Sequence, residues 1–427
     1  MSASSRPAEL KCPRAIDDVA QVVRALKHSS CAVGSRTSKS PCFETEGTEL
    51  RLDHFNHLTM VGENCVRVGA GVTLNRLLAF LNRQGLALPT IGEWDGQTVG
   101  GAFSTGTHGG SYRYGSLIDS VHEAVLITGK GDIKTYRRGT KGFQHVLPSF
   151  GTVGVFSEFV LQCEPSFQLL LERRTQPIDR FIDTLISPRS DIEFRSAIWL
   201  PAAGFVLDYA ASRVDDEVAG LTDRREVRFN DTALVLDWLT KQSARAGLNA
   251  RLKRFRGGSR LASTLFPAKD YCGPYDQMLA PLKGTAETIL KKRARNRTPP
   301  EGEFAVEVGQ ARSFIERLAQ DMDELNVFPD RPIGLRPGIA ESGTLSPTQG
   351  QPCIWVSMFL YRENPLMRRL PDRLVEFGAR PHWGKCVFHR PEDISGLFDG
   401  WGRYKRFRSR LDPDRKFVNR FAESLGL

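Results

Sequence analysis

The segment Gly96–Gly115, GQTVGGAFSTGTHGGSYRYG, constrains this chain more than any other stretch. It holds seven glycines, four of them in two Gly-Gly pairs, interleaved with Ser104, Thr105 and Thr107. Glycine in regular structure costs roughly 0.5–1 kcal/mol relative to alanine, so such density marks a backbone that approaches something closely or takes positive φ. Main-chain N–H groups left pointing outward beside those hydroxyls would cradle a pyrophosphate. The spacing is neither Gly-x-Gly-x-x-Gly nor Gly-x-x-x-x-Gly-Lys-Ser/Thr, which disfavours a Rossmann fingerprint and a P-loop. On the residues alone, an ordinary glycine-rich loop stays open as the alternative.

Around this segment the chain alternates helices and strands. Ile16, Val19, Val23 and Leu26 follow helical spacing, and Cys31-Ala32-Val33 reads as a buried strand ending at Gly34. A strand around Leu50–Leu52 follows, then a hairpin of Leu58–Val61 with Cys65–Val68. Leu74, Leu77, Leu78 and Leu81 form one apolar stripe, which predicts a helix over 74–84 with Thr73 as its N-cap and Gly85 as its stop. In the middle third, Phe314, Leu318, Met322 and Leu325 predict a second amphipathic helix, with Ser313 as a candidate cap. Ala197–Leu200, Phe205–Tyr209, Phe304–Val308 and Ile354–Leu360 read as strands. Gly257-Gly258 and Thr298-Pro299-Pro300 punctuate this region as loops. The alternation suits an α+β domain on an antiparallel sheet.

At 427 residues, 25% of them charged, the chain is long enough for two or three globular domains, and disorder is excluded. No apolar run approaches the roughly 18–20 residues of a membrane span, and MSASSRPAELKCPR lacks an apolar h-region, so a cytoplasmic location is expected. The eight cysteines include no Cys-x-x-Cys pair, which reads as reduced, packed thiols. Asp53-His54-Phe55-Asn56-His57 has no fixed third ligand and reads as a turn, so no metal is expected. Net charge is +10, concentrated after residue 165 and most densely in RLKRFR (251–256) and KKRARNR (291–297). That excess suits either an anionic partner or a solvated face. Without interleaved aromatics or a recognised motif, nucleic acid is not the expected partner.

Five motifs in order resemble the FAD-linked oxidases of the vanillyl-alcohol oxidase type, with the PCMH-type FAD-binding domain, and within them the aldonolactone and alditol (sugar-lactone) oxidases. Ala32–Pro41 looks like the first phosphate loop. Val68-Gly69-Ala70-Gly71-Val72-Thr73 leads into the leucine helix. Thr98–Gly109 is close to the central motif, Gly151–Val155 to the segment bordering the adenine end, and Arg380-Pro381-His382-Trp383-Gly384-Lys385 to a signature of the sugar-oxidase subgroup. Asp412-Pro413 with Phe417 and Asn419 resembles the C-terminal close. The likeness implies an FAD-binding domain of two subdomains over 1–165, a cap or substrate domain over 166–378, and a segment over 379–427 that returns to the FAD domain. It implies FAD contacts from Val33, Gly34, Ser35, Arg36, Thr37, Ser38, Thr98, Val99, Gly100, Gly101, Ser104, Thr105, Gly106, His108, Gly109, Gly154 and Val155. Lys385 and Arg336 are the implied catalytic residues.

Three departures qualify the likeness. The histidine that links flavin covalently in some members is matched by Thr37, so FAD is expected to be non-covalent. The glutamate of the Glu-Ile-Arg segment is matched by Gly334, leaving Glu303 or Glu307 to supply a carboxylate. A serine after Thr-His-Gly in alditol oxidases is matched by Gly110. Arg336 could equally be a structural residue paired with Asp330 or Glu341. The implied activity is hydride transfer from a CH–OH group of a sugar-like or polar small molecule, neutral or anionic, to flavin N5, with O2 or another acceptor reoxidising it. An oxidase forming C=C or C=N on a non-sugar intermediate is the alternative, and a flavin-fold protein binding polyanions the remote one.

Overall fold

The computed structural model describes residues 7–215, 263–264, 266–279, 300–329 and 331–427. The basic runs 251–256 and 291–297, Gly257-Gly258, Thr298-Pro299 and Asp330 lie outside the described residues. Among the described residues no helix is long and apolar enough to cross a membrane.

Besides a two-stranded pair of Leu86–Ala87 with Glu164–Pro165, the first third of the chain forms two larger sheets. Glu9–Lys11, Thr48–Arg51 and Ser30–Val33 make a parallel three-stranded sheet with Thr48–Arg51 in the centre. Leu58–Gly62, Cys65–Gly69, Val155–Gln162, Val121–Ile127 and Ile133–Arg137 make an antiparallel five-stranded sheet, in that spatial order. Helix Leu74–Arg83 buries all four leucines of its stripe, each worth about 1.5–3 kcal/mol when removed from water. Thr73 occupies the N-cap position, but its hydroxyl meets Asn75 Oδ1 at 2.5 Å and caps nothing. Gly85 does take the positive φ, 67°, that ends the helix.

The third sheet has eight strands, all antiparallel: Lys269–Pro274, Gln168–Pro177, Phe205–Val214, Phe194–Leu200, Ile333–Gly338, Cys353–Phe359, Glu301–Glu307 and Arg380–Pro381. The expected α+β class with an antiparallel sheet is what the chain adopts. The two-residue period of a strand sorts its side chains cleanly. Phe304, Val306, Leu335, Ile354, Val356 and Met358 point into one apolar cluster with Phe314, Ile315 and Leu318 of helix Val308–Leu325. That helix starts five residues before Ser313, which is therefore interior and not a cap; Glu307 stands at the N-cap position. The other face of the same strands carries Glu301, Glu303, Ser357, Trp355 and Arg336. Because Glu303 pairs with Ser357 and Ser357 with Gly334, these three lie in one row across the sheet; Ala305, Trp355 and Arg336 form the next.

Arg380–Pro381 closes the edge of this sheet. Beyond it the chain crosses back: Trp383, Trp401, Tyr404, Leu411 and Phe417 join the core of the first third. On the way, Gly384 O accepts the N–H of Lys39 at 2.8 Å, and Trp383 O accepts the Ser40 hydroxyl at 2.5 Å. The crossing segment thus ties the loop after Val33 to the polar face of the large sheet.

Candidate active site

Two loops of the first third face each other. A Cβ added to Gly34 would stand 2.0 Å from Thr98 Oγ1, so the 33–38 loop can lie against the start of helix Val99–Thr105 only with glycine at 34. Arg36 takes φ 53°, the left-handed turn that aims successive N–H groups to one side. The main-chain N–H groups of Ser35, Arg36 and Ser38 donate to no backbone carbonyl among the described residues. Gly34, Ser35, Thr37, Ser38, Thr98, Gly100 and Ser104 are half-buried, while Arg36 and Gly101 are open to solvent.

The glycine-rich segment spends its groups differently from the expectation. Val99 N donates to Val72 O and Gly100 N to Ala70 O, both internal partners, and Thr98 Oγ1 caps Gly101 N at 3.3 Å. Thr105 donates to Gly101 O and Thr107 to Gln97 Oε1. Gly106 takes φ 72° as the helix C-cap. At Gly109 a Cβ would stand 2.5 Å from Ile91 O, and at Gly110 2.1 Å from Arg195 O. Gly100, Gly109 and Gly110 thus allow close approach to neighbouring backbone, while Gly101, Gly106 and Gly115 lie against side chains. Gly154, at φ 138°, and Val155 are buried against the strand Val121–Ile127, where a Cβ on Gly154 would stand 2.2 Å from Ile127 O.

Lys385 and Arg336, from distant parts of the chain, meet on the polar face of the large sheet. Arg336 Nη2 donates to Glu303 Oε1 at 2.5 Å, and Arg336 Nη1 lies 3.5 Å from Glu93 Oε1. Lys385 Nζ donates to Glu301 Oε1 at 2.5 Å and lies 3.7 Å from Glu303 Oε2. Lys39 grips the second oxygen of Glu301, and Ser357 donates to the first at 3.1 Å. His108 stacks on Trp355 with ring centroids 3.8 Å apart. Its Nδ1 lies 2.8 Å from Gly109 O and its Nε2 3.6 Å from Glu303 Oε1, so both ring nitrogens face acceptors. His382, whose Nδ1 accepts Gly384 N–H, completes the wall.

Arg336 thus pairs with Glu303 and Glu93, not with Glu341, whose carboxylate accepts from Ser116, Ser346 and Thr348. Glu303, 1% exposed, is the carboxylate that stands beside Arg336; Glu307, at the end of the same strand, is exposed. Burial works to raise the Glu303 carboxyl, yet Arg336, Lys385 and His108 together hold it well below the usual range. Burial pushes His382 down to about 3, so it is neutral at physiological pH. Three cations, Lys39, Lys385 and Arg336, stand against three carboxylates, Glu301, Glu303 and Glu93. Sequence reasoning missed Glu93, Glu301 and Trp355, which sit in no motif. The alternation of Glu301 and Glu303 at a two-residue spacing was the one signal that could have placed them on a common face.

Comparison with known proteins identifies this architecture. Residues 7–137 match the family model for an FAD binding domain, and residues 286–425 match the model for D-arabinono-1,4-lactone oxidase. The chain is an FAD-dependent oxidoreductase. It resembles an L-gulonolactone oxidase of Scyliorhinus torazame, 23% identical with 96% of this chain and 93% of the relative covered. It equally resembles an alditol oxidase of Streptomyces sp., 24% identical with 98% and 95% covered. An L-gulono-1,4-lactone dehydrogenase of Mycobacterium tuberculosis is 24% identical over 91% of this chain and 88% of its own. In fold, the cholesterol oxidase from B. sterolicum superposes with a TM-score of 0.74 over 97% of this chain and 93% of that one, at 17% identity. The first loop of this oxidoreductase fits FAD chemically: a glycine whose Cβ has no room, and neighbouring N–H donors without a backbone acceptor, are what a diphosphate requires. Threonine at 37 offers no nitrogen to bond a flavin ring.

Proposed function

We propose that this oxidoreductase oxidises a CH–OH group of an uncharged polar metabolite in the class of sugar lactones and alditols, with FAD held without a covalent bond. The observation that carries the reading is the closed charge balance around Arg336 and Lys385. Each cation already has its carboxylate, so an anionic substrate gains little there, whereas neutral hydroxyls can share these donors.

The alcohol loses a hydride, for which bound FAD would supply the acceptor, and a proton, which passes to water, and so becomes a carbonyl. Glu303 holds one edge of the Arg336 guanidinium, which leaves further N–H groups of that five-donor fork for a substrate oxygen. Arg336 and Lys385 then lower the cost of negative charge on that oxygen as its proton leaves. Glu303 and His382 both bind protons weakly, which makes them poor general bases and good positioning groups. O2 or another acceptor closes the cycle. All eight cysteines are free thiols, which supports a cytoplasmic setting.

The test is the visible spectrum of the purified protein, repeated on the supernatant after acid precipitation. Yellow colour passing to the supernatant supports non-covalent FAD, and colour held in the pellet rejects it. Xylitol and L-gulono-1,4-lactone are then added without oxygen. Bleaching by either supports the donor class, and bleaching by neither rejects it.

A further inference from the structure

The polar cluster occupies only half of the sheet face on which it stands. Arg336 marks the boundary. On its far side the same face continues through strands Phe194–Leu200, Phe205–Val214 and Gln168–Pro177. Leu171, Ala211 and Phe194 lie in one row there, with Ser196 and Tyr209 in the next. These residues, with Met278, wall a cavity that opens beside Arg336, Glu93 and the Gly109-Gly110 backbone. Its room for water centres is about 40 Å³, where one water needs roughly 10–15 Å³.

The polar side chains at the mouth of this cavity already have partners. Ser196 donates to Glu93 at 3.2 Å, and Arg336 holds Glu303 and Glu93 while keeping N–H groups only on the side of the polar cluster. Gly110 offers no side chain, and a Cβ there would strike Arg195 O. A substrate hydroxyl in this cavity would lose its water partners and find few replacements. A methylene chain would lose nothing and gain contact with Leu171, Phe194 and Met278.

We infer that this cavity is a specificity subsite for a short apolar substituent, so that the preferred donor is a vicinal alcohol bearing a polar head and an apolar tail of a few carbons. The inference rests on the donor class proposed above. The head lies with Arg336, Glu303 and Lys385, the tail with Leu171, Ala211, Phe194 and Met278.

The test uses the FAD-loaded enzyme and the anaerobic rate of flavin bleaching by glycerol, 1,2-propanediol, 1,2-butanediol, 1,2-pentanediol and 1,2-octanediol, with xylitol and L-gulono-1,4-lactone alongside. Second-order bleaching rates are expected to rise about fourfold per methylene through the shorter tails and to stop rising once the tail outgrows the cavity. Ala211→Leu, which fills the space, is expected to cut the ratio of pentanediol to glycerol rates about tenfold; should that variant fail to fold, the diol series alone decides. A flat or falling series, while glycerol, xylitol or the lactone bleaches the flavin, overturns the subsite and leaves the donor class standing. Bleaching by none of the seven compounds overturns both.

Discussion

The large sheet holds two buried arginine–carboxylate pairs, and they behave oppositely. Asp208 meets Arg195 at 3.0 Å and accepts from Gln176, yet burial dominates and pushes its carboxyl up to about 6. Glu303 is no less buried, but Arg336, Lys385 and His108 converge on it and hold it well below the usual range. One guanidinium does not offset the desolvation of a carboxylate; three positively disposed neighbours do. The first pair joins adjacent strands on the far face, and the second sits where Lys385 arrives from the C-terminal crossing. What separates the two pairs is the number of chain segments that converge on the carboxylate.

Removing the arginine from the second pair is expected to have the largest effect. Arg336→Ala leaves Glu303 buried without its closest partner, costing about 3–5 kcal/mol of stability and at least a hundredfold in kcat/KM; urea unfolding and anaerobic bleaching measure the two losses. Glu303→Gln keeps the shape but frees Arg336 to move, and roughly a hundredfold loss in the bleaching rate is expected. An unchanged rate would show that Arg336 needs no such anchor.

The sign of the pH dependence then sharpens the contrast. Asp208 has a folded value raised above the unfolded one. Its contribution is full below about pH 4 and is lost as pH rises through 6, by about 2–3 kcal/mol in all. Glu303, with its folded value depressed, contributes above the unfolded value and loses that contribution only as the solution is acidified through the folded one. In urea titrations at pH 4 and pH 7, Asp208→Asn should therefore gain stability relative to the parent at pH 7 and not at pH 4. The smallest effect is expected from Glu301→Gln, which loosens Lys39 and Lys385 at the solvent edge. About a tenfold loss in bleaching rate, with the alkaline limb of its pH profile shifted, would mark Glu301 as positioning Lys385.

Much of this was legible in the chain. The leucine stripe from Leu74 to Leu81 fixed a helix because a 3.6-residue period can bury all four side chains on one face only. Lys385 and Arg336 were found through ordered motifs, and the structure brings them to one carboxylate. Glu93, on a loop, and Trp355, on a strand, were not found, because a contact between segments far apart in sequence leaves no local pattern. Ser313 was misplaced as a cap because a serine early in an apolar period looks the same whether a helix begins there or five residues before. Among the glycines of 96–115, Gly109 and Gly110 also answer to backbone neighbours, Ile91 O and Arg195 O, which only packing reveals.

By itself the sequence determined the secondary structure, the α+β class and the loop that suits a diphosphate, because each depends on residues close together along the chain. The tertiary structure decided which two carboxylates hold Arg336 and where the polar face gives way to apolar walls. Those outcomes depend on strand register, which aligns Glu303, Ser357 and Gly334 in one row and sets Phe194 beside Ala211 in another. A shift of one residue in any of these strands would turn the same side chains to the opposite face.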